Sequence, residues 1–315
     1  MIFSVSVIIP VYNAALFIEK AVLSAALQHE VLEVIVVNDG STDETEHILD
    51  TLQQKIQKLK VVHHTNKINK GRSASRNLGI QHASGNYIAF LDADDYYLEK
   101  RFKKDRVFFN KNDEVDGVYN AIGVHYYRKQ LKEEREDLAL TTVTERIEAA
   151  QLFNDLLTGE KGYFSIDGLT VKKSIFKSVG YFNDKLEVAE DTDLILKMAL
   201  KCKLETGIID KPLAMRGVHN KNVFNQESVY KIHRSKMYES LINWGIKENT
   251  SFHNTDQLLK WLWYYRNKDY NKLSTELYYW LKLMCKNPSL LSSKLGYKYF
   301  PIIRQRKKLF PILFR

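Results

Sequence analysis

The chain has 315 residues, of which 44% are hydrophobic and 12% aromatic. That length suggests one large domain or two modest ones with a real core, and 5 prolines and 14 glycines exclude a collagenous or disordered chain. The formal charge of +9 is unevenly spread: residues 221–315 carry 18 Lys+Arg and 6 Asp+Glu (net +12), the first 220 carry 29 and 32 (net −3), and all four tryptophans lie beyond residue 220. This asymmetry predicts a boundary near 220 and a second part that meets something anionic. No apolar run reaches the roughly 18 residues that span a bilayer. The start, MIFSVSVIIPVYN, lacks a basic stretch before its apolar run, so no signal peptide is expected. Cys202 and Cys285 read as free thiols in a reducing compartment, and the expectation is a soluble, cytoplasmic protein.

Residues 4–11 (SVSVIIPV) form a β-branched run suited to a buried parallel strand, and Ala14 to Gln28 follows with helical periodicity. Leu32 to Val37 is a second strand ending in NDGSTD, where Ser41 or Thr42 could cap a helix that carries Asp43 and Glu44 in its first turn. Leu59 to His64 is a third strand, Ser73 to His82 a helix and Asn86 to Leu91 a fourth strand. Beyond these the pattern predicts a helix near 97–110, a strand over Val115 to Tyr127, and helices near 144–157 and 190–201. Strands alternating with helices define an α/β fold with a mostly parallel sheet flanked by helices. Ligands of such sheets bind beyond the carboxyl ends of the strands. A dinucleotide fold would place G-x-G-x-x-G after the first strand, where this chain has PVYNAA, and there is no P-loop.

The chemistry-bearing segments follow strand ends. Asp92-Ala93-Asp94-Asp95 puts three carboxylates within four residues; a divalent cation such as Mn²⁺ or Mg²⁺ would relieve their repulsion, and a solvated acidic turn is the other reading. Asp39 in NDG either closes a turn or accepts hydrogen bonds from a nucleobase edge. Lys70 and Arg76 bring positive charge to a helix start, suited to a diphosphate or simply to water. Glu190 and Asp191 open an apolar helix, where acidic residues suit the helix dipole and a base would stay ionised. His219, beside Arg216, is either structural or a metal or phosphate ligand.

Taken in series, VSVIIPVYN, VNDGSTD, NKGRSASRNLGIQHASGNYIAFLDADD, VGYFNDKLEVAEDTDL and MRGVHN resemble the family 2 glycosyltransferases of GT-A fold, over about residues 3–220. The resemblance implies a catalytic domain over 1–220 and an inverting, metal-dependent transferase that uses a nucleoside-diphosphate sugar, most simply a UDP-sugar. Carried over residue by residue, Pro10, Val11, Tyr12 and Asn13 pack on the nucleobase and Asp39 bonds to it. Arg76 and Lys70 face the nucleotide, Asp92 and Ala93 meet the ribose or donor sugar, and Asp94 and His219 hold Mn²⁺ or Mg²⁺. Asp191 is the catalytic base, with Glu190, Asp167 and Gly168 toward sugar and acceptor. The acceptor implied is a glycan or a lipid-linked glycan of surface-polysaccharide synthesis. Q-x-x-R-W and membrane helices of the processive synthases are missing, which implies single additions. Arg128 to Thr144 has no counterpart in the family and reads as a mobile, solvated loop.

Residues 221–315 predict a helical, aromatic-rich region, with stretches over Tyr230 to Trp244, Thr255 to Tyr265 and Lys272 to Cys285. The final YKYFPIIRQRKKLFPILFR mixes apolar and basic side chains as an anionic bilayer surface would require, which predicts peripheral membrane attachment. Nucleic acid is not expected as a partner. A nucleotidyltransferase would need a G-x-G-T-R-type loop that is missing. The remaining alternative is a degenerate homologue acting as a membrane- or glycan-binding scaffold, against which Asp39, Asp92, Asp94 and Asp191 together argue.

Overall fold

A computed structural model of the chain describes residues 2–130, 140–220, 222, 227–269 and 272–313. The chain divides into two compact units, Met1–Asn225 and Gln226–Arg315.

The first unit is built on a seven-stranded sheet of order β10-β6-β9-β4-β1-β2-β3, with β1 Val5–Val11, β2 Val31–Asn38, β3 Leu59–His63, β4 Tyr87–Phe90, β6 Gly117–Tyr119, β9 Leu169–Lys172 and β10 Leu204–Thr206. The β4-β1-β2-β3 stretch is parallel throughout, β10 runs parallel to β6, and β9 lies antiparallel between β4 and β6. All seven residues of β1 are buried, as the centre of a sheet covered on both faces demands. Helix α1 (Ile18–Ala26) buries Ile18, Ala21, Val22 and Ala25, an i, i+3, i+4, i+7 face. Helix α3 (Gly71–His82) approaches β1 so closely that a Cβ on Gly79 would lie 2.4 Å from Ile8 Cγ2. A second, four-stranded sheet of order β5-β11-β7-β8 joins β5 Tyr96–Tyr97, β7 Ile122–Tyr126, β8 Leu140–Thr141 and β11 Ala214–Val218. The mixed α/β architecture with a mostly parallel central sheet is the one the sequence predicts.

Several elements differ from expectation for identifiable reasons. Helix α1 starts at Ile18 because Asn13 sits in the left-handed region (φ 51°) and the chain turns before entering the helix. Ser41 and Thr42 do not cap α2 (Thr45–Lys55): Asn13 N donates to Ser41 Oγ at 3.0 Å, Asn13 Nδ2 donates to Thr42 Oγ1 at 3.3 Å, and Asp43 Oδ1 accepts the Thr45 N–H instead. The run 115–127 splits at Asn120 into β6 and β7, which belong to different sheets. Asn120 anchors the break by donating to Asp105 Oδ1 and accepting from Ile208 N. The predicted helix near 97–110 is shortened to α4 (Lys103–Lys111) because Tyr96–Tyr97 pairs with β11. Helix α5 (Ala149–Thr158) likewise starts later than predicted, whereas α7 (Glu190–Lys201), which follows the short α6 (Phe176–Val179), begins where expected. The expected loop over 128–144 is corrected at its end: Leu140–Thr141 pairs with β7 and Val143 bridges Gly162, while its charged run 132–137 lies outside the described residues.

The second unit consists of α8 (Glu227–Lys247), α9 (Phe252–Asp269), α10 (Leu273–Lys286) and short helices at Lys294–Lys298, Pro301–Arg304 and Arg306–Leu309. Its core holds Leu241, Ile242, Leu258, Leu259, Leu262, Trp263 and Leu283. Arg266 makes a buried, two-pronged ion pair with Glu276 and lies over the Tyr279 ring. Among the described residues, no helix is long and apolar enough to cross a membrane.

Candidate active site

The carboxyl ends of β1, β2 and β4 gather the first group of residues. Pro10 and Val11 are buried in β1, Tyr12 beyond it is 50% exposed, and the Asn13 side-chain Oδ1 accepts the Thr42 N–H at 2.7 Å. Asp39 is nearly buried. Its Oδ1 accepts the Lys70 N–H at 2.7 Å and its Oδ2 the Gly71 N–H at 2.9 Å, which ties β2 to the start of α3. Gly40 is required there: its φ is +75° and a Cβ would lie 2.6 Å from Lys67 O. His64, buried beneath, contacts Ser75 Oγ at 3.0 Å and lies 3.4 Å from Asp39 Oδ1; burial lowers its pKa against the opposing Asp39 charge.

Arg76 turns inward. It is 2% exposed and forks, with Nη2 donating to Asp92 Oδ1 at 2.6 Å and Nη1 to Glu190 Oε1 at 2.8 Å. Burial opposes the guanidinium charge, but Asp92, Glu190 and Asp191 hold it protonated above the usual arginine range. Burial also opposes ionisation of Asp92, yet Arg76 and Arg72 hold that carboxyl below its ordinary range. Glu190 is 2% exposed; burial and the neighbouring Asp191 charge push its pKa up despite Arg76 and Arg72. The more exposed Arg72 sits one turn earlier on α3, its Nε 3.6 Å from Glu190 Oε1. Lys70 is exposed at the same helix start.

Asp94 Oδ2 lies 2.9 Å from His219 Nε2 and accepts from Asn222 Nδ2 at 3.0 Å. Both side chains remain accessible, Asp94 at 24% and His219 at 17%. Burial and the Asp92 charge raise the Asp94 pKa, which a bound cation would reverse. A carboxylate oxygen and an imidazole nitrogen pointing at one another fit Mn²⁺, and the oxygen fits Mg²⁺. A second acidic group, Asp92, Asp95 and Asp167, has ligand atoms within 4.8 Å of one another. It suits a cation less well, because its buried members are already committed. Asp95 Oδ1 accepts the Gly217 N–H, while Asp167 accepts from Asp92 N and from Ser165 Oγ. Burial first, then neighbouring carboxylates, raise both pKa values, Asp167 to about 6. Ala93 is buried between them. Gly168 passes so close to Asn120 that a Cβ would lie 2.2 Å from its carbonyl oxygen.

Asp191 occupies the first turn of α7, which begins after Ala189 in the left-handed conformation (φ 62°). The strained residue swings the chain so that Glu190 points into the Arg76 fork while Asp191 stays partly exposed. The Asp191 carboxylate accepts the Thr192 N–H at 2.7 Å and sits at the positive end of the helix dipole. Arg216 on β11 lies within electrostatic reach of Asp167, Asp95 and Asp191; these carboxylates outweigh burial and raise its pKa.

The structure thus joins Arg76, Asp92, Glu190 and Asp167 in one hydrogen-bonded network and Asp94 with His219 in a second, with Asp39, Lys70 and the Asn13 turn clustered at the first two strand ends. Sequence reasoning assigned no role to Arg72, Arg216, Asn222 or His64. Arg72 had a signal, its i, i+4 spacing from Arg76 on one helix face. His64 directly follows β3, whereas Arg216 and Asn222 meet the site through tertiary return of the chain.

Comparison with known proteins agrees with this architecture. The sequence profile of glycosyl transferase family 2 matches residues 6–179, more than half of the chain. An uncharacterised glycosyltransferase of Haemophilus influenzae is 30% identical over 184 residues, covering 58% of this chain and 68% of the relative. Several other curated glycosyltransferase relatives are matched over less than two thirds of their own length. Residues 1–349 of S. aureus TarS superpose with a TM-score of 0.64 at 18% identity, covering 97% of this chain and 91% of that one. The mannosyltransferase PcManGT of Pyrobaculum calidifontis superposes with a TM-score of 0.52 at 17% identity, covering 98% and 87%. The fold is the GT-A fold of these glycosyltransferases. The chain belongs to glycosyl transferase family 2, and it is an enzyme of the glycosyltransferase class.

Proposed function

We propose that this chain moves single sugars, with inversion, from a UDP-sugar to a hydroxyl of a glycan or lipid-linked acceptor in cell-surface polysaccharide synthesis. The observation that carries the reading is the Arg76 fork, which ties the donor-side Asp92 to Glu190, the residue next to Asp191. The choice of donor is supported by the TarS fragment solved with UDP-GlcNAc and with UDP, and the cation by PcManGT solved with GDP-Man and Mn²⁺.

In this reading Tyr12, exposed beyond β1, stacks on the nucleobase, and Asp39 shapes the wall that the base meets. Asp94 and His219 would hold Mn²⁺ or Mg²⁺, which supplies charge neutralisation to the diphosphate leaving group. Lys70 and Arg72 add positive charge on the same side. The acceptor oxygen attacks the anomeric carbon from the face opposite the nucleotide, the bond from that carbon to the diphosphate oxygen breaks, and the acceptor proton passes to Asp191. A carboxylate is a weak base for an alcohol, so that proton moves late, as the new bond forms. Glu190 and Asp167 are spent on architecture, and the acceptor meets the surface they shape.

The C-terminal segment supplies the membrane contact in this proposal. Ile303, Phe310, Ile312 and Leu313 are 38%, 46%, 86% and 75% exposed beside the exposed Lys307 and Lys308, the mixture that binds an anionic, cytoplasmic leaflet. Deletion of residues 297–315 should abolish co-sedimentation with anionic liposomes; unchanged binding would remove the tail from this role. For the central reaction, a panel of nucleotide sugars is incubated with Mn²⁺ and acceptor extract, and product anomers are read by NMR. Turnover of one donor with inverted linkage is expected. Retained configuration, or no turnover and no nucleotide binding, would overturn the proposal.

A further inference from the structure

Along α1 runs an open groove of about 920 Å³, within the size range of small-molecule sites. One wall is α1, the other is β5 with the start of α4. Leu16 just before α1, Leu23 on it and Leu27 just after it line the groove at 88%, 39% and 81% exposure. These solvent-exposed leucines are unexplained by the fold: Ile18, Ala21, Val22 and Ala25 of α1 already supply the core contact.

The groove is linked to the candidate active site by a chain of packed rings. Lys20 lines it, its Nζ 3.5 Å from the Tyr96 ring centroid and 5.3 Å from that of Tyr127. Tyr127 packs on Phe17 at 4.8 Å, Phe17 stacks on the His219 ring at 4.7 Å, and His219 meets Asp94. The end of α1 that carries Lys20 is therefore the end at the proposed metal site, and Leu27 marks the far end; the nine residues of α1 give a length of about 13 Å. Of the cations on the rim, Arg106 is paired with Glu30 and Lys100 with Glu99, whereas Lys20 and Lys103 make no ion pair among the described residues; Glu19 also lines the groove. A trough with exposed leucines and an unpaired lysine, Lys20, at the end nearer His219 matches an amphiphile with an anionic head and a hydrocarbon chain. The position of Lys20 beside the rings that pack against His219 favours a part of the substrate over a protein partner.

We infer that this groove seats the hydrocarbon chain of a lipid-phosphate-linked acceptor, with Lys20 meeting the phosphate and the leucines the chain. The inference rests on the transferase reading above and narrows its acceptor to the lipid-linked class.

The probe is decyl phosphate, titrated calorimetrically below its micelle concentration into the full chain saturated with UDP, so that the donor site is already filled. Binding is expected to weaken at least tenfold in Leu23→Asp and in Leu27→Asp, and about tenfold in Lys20→Ala. Inorganic phosphate and decyl maltoside should each bind at least tenfold more weakly than decyl phosphate. UDP affinity of the leucine variants should stay within twofold of the parent, which also shows that they fold; Leu27, at the helix end, serves if Leu23→Asp does not. Equal binding of decyl phosphate to parent and variants, or none to the parent, overturns the inference. So does a dimer by light scattering that Leu27→Asp dissolves, which would assign the groove to a second copy. If the parent binds no UDP yet binds decyl phosphate through these residues, the donor reading fails and the groove stands. The reverse pattern removes the groove alone.

Discussion

The two halves of the first unit are built differently. From β1 to β3 each strand is followed by a helix, and β1 pairs in parallel with β2 and β4 and β2 with β3, so that functional turns arrive at the carboxyl ends of one run of parallel strands. From β5 to β11 the chain returns repeatedly: β9 inserts antiparallel between β4 and β6, and β11 pairs with both β5 and β7. The halves are stitched by a few polar contacts across long sequence separations, Arg76 to Glu190, Asp95 to Gly217 and Asp94 to His219. The donor side can therefore be read element by element, whereas the base and the metal partner depend on those stitches. Such long-range closure is also slow to form in folding.

This contrast can be broken on either side. The largest effect is expected from Asp191→Asn, which touches only the returning half: turnover should fall roughly 10²- to 10⁴-fold, the range for a lost general base, with nucleotide affinity within twofold. Steady-state kinetics beside a UDP titration checks this, and retained turnover removes Asp191 from its role. Arg76→Met cuts the stitch and strands Glu190 and Asp92, so a loss of about 3–5 kcal/mol in chemical denaturation is expected. Adding Glu190→Gln should recover part of that stability but not the activity, because the burial cost disappears while the geometry at Asp191 does not return.

Glu33 tests the donor half alone. It is buried, accepts from Ser6 Oγ, from Ser84 N and Oγ and from Lys60, and these bonds outweigh burial to hold its pKa at about 2. Its folded value is depressed, so its contribution is complete above the ordinary glutamate range and is lost as the pH falls from about 4.5 towards 2. The loss over that window should be about 3 kcal/mol, and Glu33→Gln should flatten the acid limb of the stability curve. Smallest is Gly79→Ala, whose Cβ would press on Ile8 and cost about 1–3 kcal/mol with unchanged Asp94–His219 chemistry. An Ala variant as stable as the parent would show that α3 can shift off β1 freely.

What was legible in the sequence follows the same division. Buried β-branched runs and the turns after them disclosed β1 to β4, and the acidic start of α7 was visible because helix dipole and periodicity agree there. The short strands β8 and β10, the split at Asn120 and the late start of α4 were illegible, since each is decided by a distant partner. At the site, residue types disclosed the carboxylates but not their protonation or direction. Nothing local distinguishes Asp94, accessible beside His219, from Asp95, buried against Gly217, and nothing local shows that Arg76 points inward while Arg72 does not. Those assignments are made by packing between segments more than a hundred residues apart.

The most direct test of the account is a calorimetric titration of UDP with and without Mn²⁺, in the parent chain and in Asp94→Ala. Binding that Mn²⁺ tightens at least tenfold in the parent, and that Mn²⁺ leaves unchanged in the variant, is the predicted result. UDP binding that is indifferent to Mn²⁺ in both, or absent from both, would contradict it.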